Sequence, residues 1–271
     1  MSEPTDAEIR TVQVGQPYEF PWGKIFGERE SLDRENRWLD HYHPAHELLW
    51  SQGGAATIVV GRRLWTIAGS HGLWLPAGTI HSGTVRAGVT YRATFFDVER
   101  TQSISDVPVS VEITPLLTQL LDHLEKEHLR EDERTRAEGV VMDLLQPVEQ
   151  AVILHMPSHE LISAAAEEIL ADPAAPHGVD YWAKRLGVST RTITRTFRAE
   201  TGVGFARWVA TARARCAIEL LSNGVNVAEA AERVGYATVS AFGVAFRRVT
   251  GVTPGAFRQQ QYPEHGGEQQ E

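Results

Sequence analysis

Apolar and polar positions change period along this chain, and the changes divide it. From about residue 20 to 105 the apolar residues come in short runs, Trp38–Tyr42, Ala55–Val60, Arg63–Ala68, Leu73–Leu75 and Tyr91–Val98. Gly53-Gly54, Gly61, Gly69-Ser70 and Pro76-Ala77-Gly78 punctuate them, and closely spaced strands with glycine turns predict an all-β sandwich or barrel. From 115 to 150 the period becomes helical: Leu116, Leu117, Leu120, Leu121 and Leu124, then Val140, Val141, Leu144 and Leu145 before Pro147. Pro115 suits a first helical turn. This pair of helices either leans on the β region or docks on a second copy of the chain. Val152–Pro157 breaks the period and reads as a linker. Helical spacing then resumes, with Leu161–Leu170 stopping at Asp172-Pro173, a long helix from Phe205 to Ser222, and a short one after Pro254.

Two stretches of this last region repeat one another. Ala183–Val203 and Ala231–Val252 each read as an apolar helix, a glycine turn at Gly187 or Gly235, a second helix, and a closing Thr-Gly-Val. That is the pattern of two helix-turn-helix units, at about 179–201 and 227–250, joined by the Phe205–Ser222 stem. Two recognition helices held about 34 Å apart would enter successive major-groove turns of B-DNA. In the first, Arg191 and Arg195 lie at i and i+4 with Thr192 and Thr194 beside them, and Ser189 precedes them. Arginine is shaped for bidentate contact with guanine. The second offers Thr238, Val239, Ser240 and Gly243, which suit hydroxyl and thymine-methyl contacts, while Arg198, Arg247 and Arg248 suit phosphates.

Charge supports this only after the chain is divided. The net charge is −9, yet residues 160–260 hold 12 Lys/Arg against 9 Asp/Glu, and 180–215 hold eight against two. The acid lies in the first half, and the basic segment is where phosphate contacts are needed. A length of 271 residues with 42% hydrophobic content suits two domains. The polar start, MSEPTDAEIR, and the lack of a long apolar run predict a cytoplasmic protein with no membrane segment. Cys216, the single cysteine, falls in the apolar period of the stem and reads as a small core residue.

In the β region, His41, His43 and Glu47 stand two and four apart, so that in one continuous strand they would share a face. His81 follows the Pro76–Gly78 turn, which could return the next strand alongside. Three imidazoles and a carboxylate suit iron, nickel, manganese or zinc, with open positions for water or a small ligand. The other readings of the same residues are a polar pocket for a small organic effector and a vestigial site that no longer holds metal. His41-x-His43-x3-Glu47-x5-Gly53 followed by Pro76-x-Gly78-x2-His81 resembles the two motifs of the cupin superfamily. It departs from them in lacking the leading glycine, in having Gly53-Gly54 for a single glycine, and in Val85 where asparagine is usual.

The second half resembles the AraC/XylS-type transcriptional regulators. Ala228, Ala231, Val234-Gly235-Tyr236, Phe242, Phe246-Arg247-Arg248, Gly251-Val252-Thr253-Pro254 and Phe257-Arg258 match that family's C-terminal signature; Val244 departs from it where many members are polar or basic. The resemblance implies a sequence-specific DNA-binding regulator, not an enzyme, controlled by an effector or metal in an N-terminal cupin-like barrel. It implies double-stranded operator DNA, RNA polymerase and a second copy in a homodimer as partners, acting as activator or repressor. The expected organisation is an extension over 1–19, the barrel over 20–105, a helical connector over 106–157, the tandem helix-turn-helix domain over 158–262 and a disordered tail over 263–271. The rival from another class is a metal-dependent cupin enzyme, a dioxygenase or isomerase, and a third reading is a regulator whose barrel only dimerises.

Overall fold

A computed structural model describes residues 8–10, 20, 23–126, 128–149 and 151–261. Most of the expected extension over 1–19, and the tail over 263–271, lie outside the described residues. The chain divides into two compact units, one of residues 1–61 and 65–151, the other of 62–64 and 152–271.

In the first unit, β1 (Glu8–Arg10), β2 (Ile25–Ser31), β3 (Asn36–His41), β4 (His46–Gln52), β5 (Ala55–Val60), β6 (Arg63–Ala68), β7 (His71–Leu75), β8 (His81–Val85) and β9 (Thr90–Phe96) form a curled half-barrel. They follow the order β1-β3-β8-β5-β6-β7-β4-β9-β2, with β10 (Val109–Glu112) added to β7 and β11 (Pro147–Val148) to β10. β4 is central, antiparallel to both β7 and β9. Two helices, α1 (Pro115–Leu124) and α2 (Glu131–Leu144), cover one face of the sheet. Thr114 caps α1 by accepting the Leu117 N–H, and Pro115 holds its first turn. Leu117, Leu121 and Leu124 of α1 and Val141 of α2 pack on Ile25, Leu48, Trp50, Trp74 and Phe96. Burial of these side chains is worth about 1.5 to 3 kcal/mol each relative to exposure. Trp50 and Trp74 are thus core under the helices.

In the second unit the Val152–Pro157 stretch, expected as linker, contains a strand, β12 (Val152–His155). Its Val-Ile-Leu run has the β-branched and apolar character that a strand favours. Among the described residues seven helices follow: α3 (Glu160–Ala171), α4 (Val179–Leu186), α5 (Thr190–Thr201), α6 (Phe205–Ser222), α7 (Val227–Arg233), α8 (Val239–Thr250) and α9 (Pro254–Gln261). The α3–α6 core is aromatic: Trp182, Phe197, Phe205 and Trp208 pack with Ile162, Ile169 and Ile193. Phe242, Phe246 and Phe257 form the matching row further on, with ring centroids 5.5 and 5.8 Å apart. None of the described helices is long and apolar enough to cross a membrane.

Candidate effector and DNA-binding sites

The four barrel residues singled out from sequence converge, though not by the expected route. β3 ends at His41, His43 lies in the following loop, and Glu47 belongs to the separate strand β4. Pro44, with no N–H to donate to a ladder, stands in the gap. Register does the remaining work, since His41 pairs with His81 across β3 and β8. The Gly78 N–H donates to the His43 carbonyl at 2.8 Å, tying the His81 turn to the His43 loop, and Gly78 takes a φ of +77° that favours glycine.

One nitrogen from each of His41, His43 and His81 lies within 4.8 Å of the other two. Nδ1 of His41 is 2.7 Å from the Leu39 carbonyl, and Nδ1 of His81 is 3.0 Å from the Thr79 carbonyl. Both Nδ1 atoms therefore carry their protons, and Nε2 is left with its lone pair facing inward. That lone pair of His81 sits 3.2 Å from Oε2 of Glu47, which has no hydrogen-bond donor, and His43 Nε2 is 3.8 Å from Oε1. Burial, with Glu28 adding to it, pushes the Glu47 carboxyl up to about 8. Burial and the neighbouring imidazoles hold His43 down to about 4, and burial above all does the same for His81. At neutral pH these contacts are therefore not ion pairs. A neutral Glu47 carboxyl can donate its proton to His81 Nε2 across that 3.2 Å, and a bound cation would take the place of this proton.

Sequence reasoning passed over the aromatic neighbour of this cluster. Trp38 of β3 stacks on Tyr91 of β9 with ring centroids 5.2 Å apart, and burial followed by the Glu47 charge raises the Tyr91 hydroxyl well above its ordinary range. Tyr91 stands two and four residues before Ala93 and Phe95, a period that marks the shared face. His46, adjacent in sequence, accepts the Ala77 N–H through Nδ1 at 3.0 Å and is structural.

In the second unit the two repeats superimpose in role. Ile193 and Phe197 bury one side of α5, and Phe242 and Phe246 do the same for α8, at an offset of 49 residues. Ser189 and Thr238 cap the two helices, accepting the Thr192 and Ala241 N–H groups. Each helix ends on a glycine in the left-handed region, Gly202 and Gly251. The offset is only 48 between Gly187 and Gly235, so the second turn is one residue longer. Arg191, Thr194, Arg195 and Arg198 lie exposed on α5, with Thr192 half-buried. At the equivalent stations α8 presents Ser240, Gly243, Val244 and Arg247, with Val239 beside them. Val244, 72% exposed, stands where α5 has Arg195.

Comparison with known proteins meets this geometry in both units. A model of the AraC-like ligand binding domain matches residues 23–145, and a helix-turn-helix domain model matches 182–260. The HTH-type transcriptional regulator NimR of Escherichia coli is 27% identical over 225 residues, 80% of this chain and 81% of that one. The HTH-type transcriptional regulator RipA of Corynebacterium glutamicum is 35% identical over 102 residues, 38% of this chain and 31% of that one. The chain belongs to the AraC-type transcriptional regulators. Among solved structures, unsaturated fatty acid bound ToxT from Vibrio cholerae aligns over 89% of this chain and 96% of that one, at 12% identity and a TM-score of 0.37. As an AraC-type regulator the chain binds DNA through its second unit and carries a ligand-binding first unit. In this regulator the α1–α2 pair falls within the residues matched by the ligand-binding model.

Proposed function

We propose that this AraC-type regulator responds to a divalent transition metal, iron, nickel, manganese or zinc, held by His41, His43, His81 and Glu47. The observation that carries the reading is the convergence of one nitrogen from each of His41, His43 and His81 within 4.8 Å of one another, with Glu47 Oε2 3.2 Å from His81 Nε2. A buried carboxyl and inward lone pairs are the donor set such ions take, and the bound ion supplies the positive charge they lack. A small organic effector is the second reading, favoured by the Trp38–Tyr91 stack beside Glu47. Elemental analysis of the purified protein separates the two. Stoichiometric metal in the wild type, lost in a His41→Ala/His43→Ala variant, supports the first; a metal-free wild type grown with these metals supplied rules it out.

The DNA reading is divided between the heads. Arg191 and Arg195, with Thr192, Thr194 and Ser189, read base edges, while Arg198 contacts phosphate. Thr238, Val239, Ser240, Gly243 and Arg247 of the second head make hydroxyl, methyl and phosphate contacts that set register. Arg191 and Arg195 exposed on α5, where α8 has Ser240 and Val244, support this asymmetry. A gel shift on the gene's own upstream DNA across a salt series tests it, and absence of binding with or without metal would overturn it. The protein acts as a homodimer in the cytoplasm, engages RNA polymerase from its operator, and has no catalytic role.

A further inference from the structure

The stem helix α6 carries one basic residue whose contacts lead to both helix-turn-helix units. Arg213 Nε donates to the Pro173 carbonyl at 2.8 Å, and Nη2 reaches the Ala175 carbonyl at 3.5 Å. Both acceptors lie in the segment between α3 and α4, immediately before the first head. The third donor, Nη1, goes to the Gly235 carbonyl at 3.3 Å, in the turn of the second head. The guanidinium also lies over the ring of Tyr236, Cζ to centroid 5.3 Å. Where these strands of chain meet, a Cβ on Gly235 would stand 2.6 Å from the Ala174 oxygen, so the two backbones touch.

We infer that Arg213 is a specificity-determining residue that fixes the phasing of the two recognition helices and so selects the spacing between the two halves of the operator. The inference rests on both heads reading DNA. A guanidinium is a planar fork of five donors, and three carbonyls from two segments fix its plane. Rotation of the second head about α6 would pull Gly235 and Tyr236 away from Pro173 and Ala175. A helical turn of DNA is about 10 base pairs over about 34 Å, so one inserted pair advances the second half-site by about 3.4 Å and turns it by about 36°. A second head locked to the first cannot follow both displacements. An unlocked one can, at lower affinity for the native spacing.

Selection of binding sites from a randomised double-stranded DNA library, with the full-length protein, reads this directly. The wild type is expected to recover two sequence blocks at one spacing, with a one-pair insertion weakening binding roughly tenfold, the effect of a mismatched pair. Arg213→Ala is expected to recover the same two blocks at several spacings, with the insertion penalty reduced to about threefold or less. Arg213→Lys, which keeps one donor and the charge over Tyr236, should fall between. Tyr236→Leu removes the ring while leaving the three carbonyls, and is the second variant if Arg213→Ala does not fold; it too should broaden the spacing. Two blocks at a single spacing in every folded variant would overturn the role of Arg213 and leave the two-headed reading standing. A wild type that selects one block, or none, would overturn both.

Discussion

The backbone oxygen of Ala174 stands 2.6 Å from the place a Cβ on Gly235 would occupy, whereas nothing lies within 4 Å of the corresponding place on Gly187. Both glycines have positive φ, +80° and +66°. Alanine at Gly187 therefore meets only the cost of the left-handed backbone, about 1 to 2 kcal/mol. Alanine at Gly235 meets that cost and a backbone that must also move, for a total of about 2 to 5 kcal/mol. Urea unfolding of the two variants checks the order, and equal midpoints would show that the second turn relaxes freely.

On the proposed division of roles, the α5 stripe separates base reading from phosphate contact. Arg191→Ala and Arg195→Ala are each expected to cost about 1 to 3 kcal/mol on the selected site and to relax its sequence preference. Arg198→Ala should weaken all sequences alike and lower the salt slope by about 1. Val244→Arg, at the exposed station that matches Arg195, should raise affinity and salt slope on DNA of any sequence. Titrations of matched and scrambled DNA at several salt concentrations would distinguish these outcomes; identical effects of all three alanine variants on both DNAs would refute the division of roles.

How much could be read from the sequence depended on how each element is buried. The helical half was legible because its elements are half-exposed and capped: Pro115, Ser189 and Thr238 mark helix starts, and the Phe205–Ser222 stem runs between Gly204 and Asn223. The strands around the site were less so. Leu48, Leu49 and Trp50 of β4 are all buried, so the strand shows no alternation and its start at His46 was hidden within an assumed single strand from Trp38. β2, Ile-Phe-Gly-Glu-Arg-Glu-Ser, and β8, His-Ser-Gly-Thr-Val, have little apolar signal of their own and are defined by pairing to β9 and β3. The closeness of His41, His43, Glu47 and His81 was nevertheless legible, although a loop and a strand register bring it about instead of one continuous strand. Arg213 was not, since its acceptors are backbone carbonyls that leave no trace in residue type.

Arg92 shows what the connector helices stabilise. It is 2% exposed, its guanidinium lies 4.5 Å from the centre of the Trp50 ring, and it pairs with Asp122 at 2.5 Å and with Glu125. Arg29 shares Asp122 from the surface. Arg92→Met keeps volume but leaves two carboxylates under-compensated; because these are a quarter to a third exposed, the cost falls to about 1 to 3 kcal/mol, below that of a fully buried pair. Arg29→Met should cost under about 1 kcal/mol. Denaturant unfolding monitored by tryptophan fluorescence ranks the two, and the reverse order would place the main anchor of α1 at the surface.

Glu200, near the end of α5, makes the second unit sensitive to acid. Its carboxylate accepts the Ser158 N–H at 3.0 Å, the Ser158 hydroxyl at 3.0 Å, Arg62 at 3.1 Å and the His159 N–H at 3.1 Å. These contacts, the Ser158 N–H foremost, pull its pKa down to about 2. A depressed folded-state pKa means stability that is present above the unfolded value of about 4.3 and is lost as pH falls from there toward 2. Glu200→Gln keeps the shape without the charge. The stability difference between wild type and Glu200→Gln should therefore be constant from about pH 7 to 5, then shrink below about 4.3. Urea midpoints of both proteins across that range provide the test, and a difference unchanged down to pH 2.5 would mean that the charge of Glu200 adds nothing to its hold on Ser158 and His159.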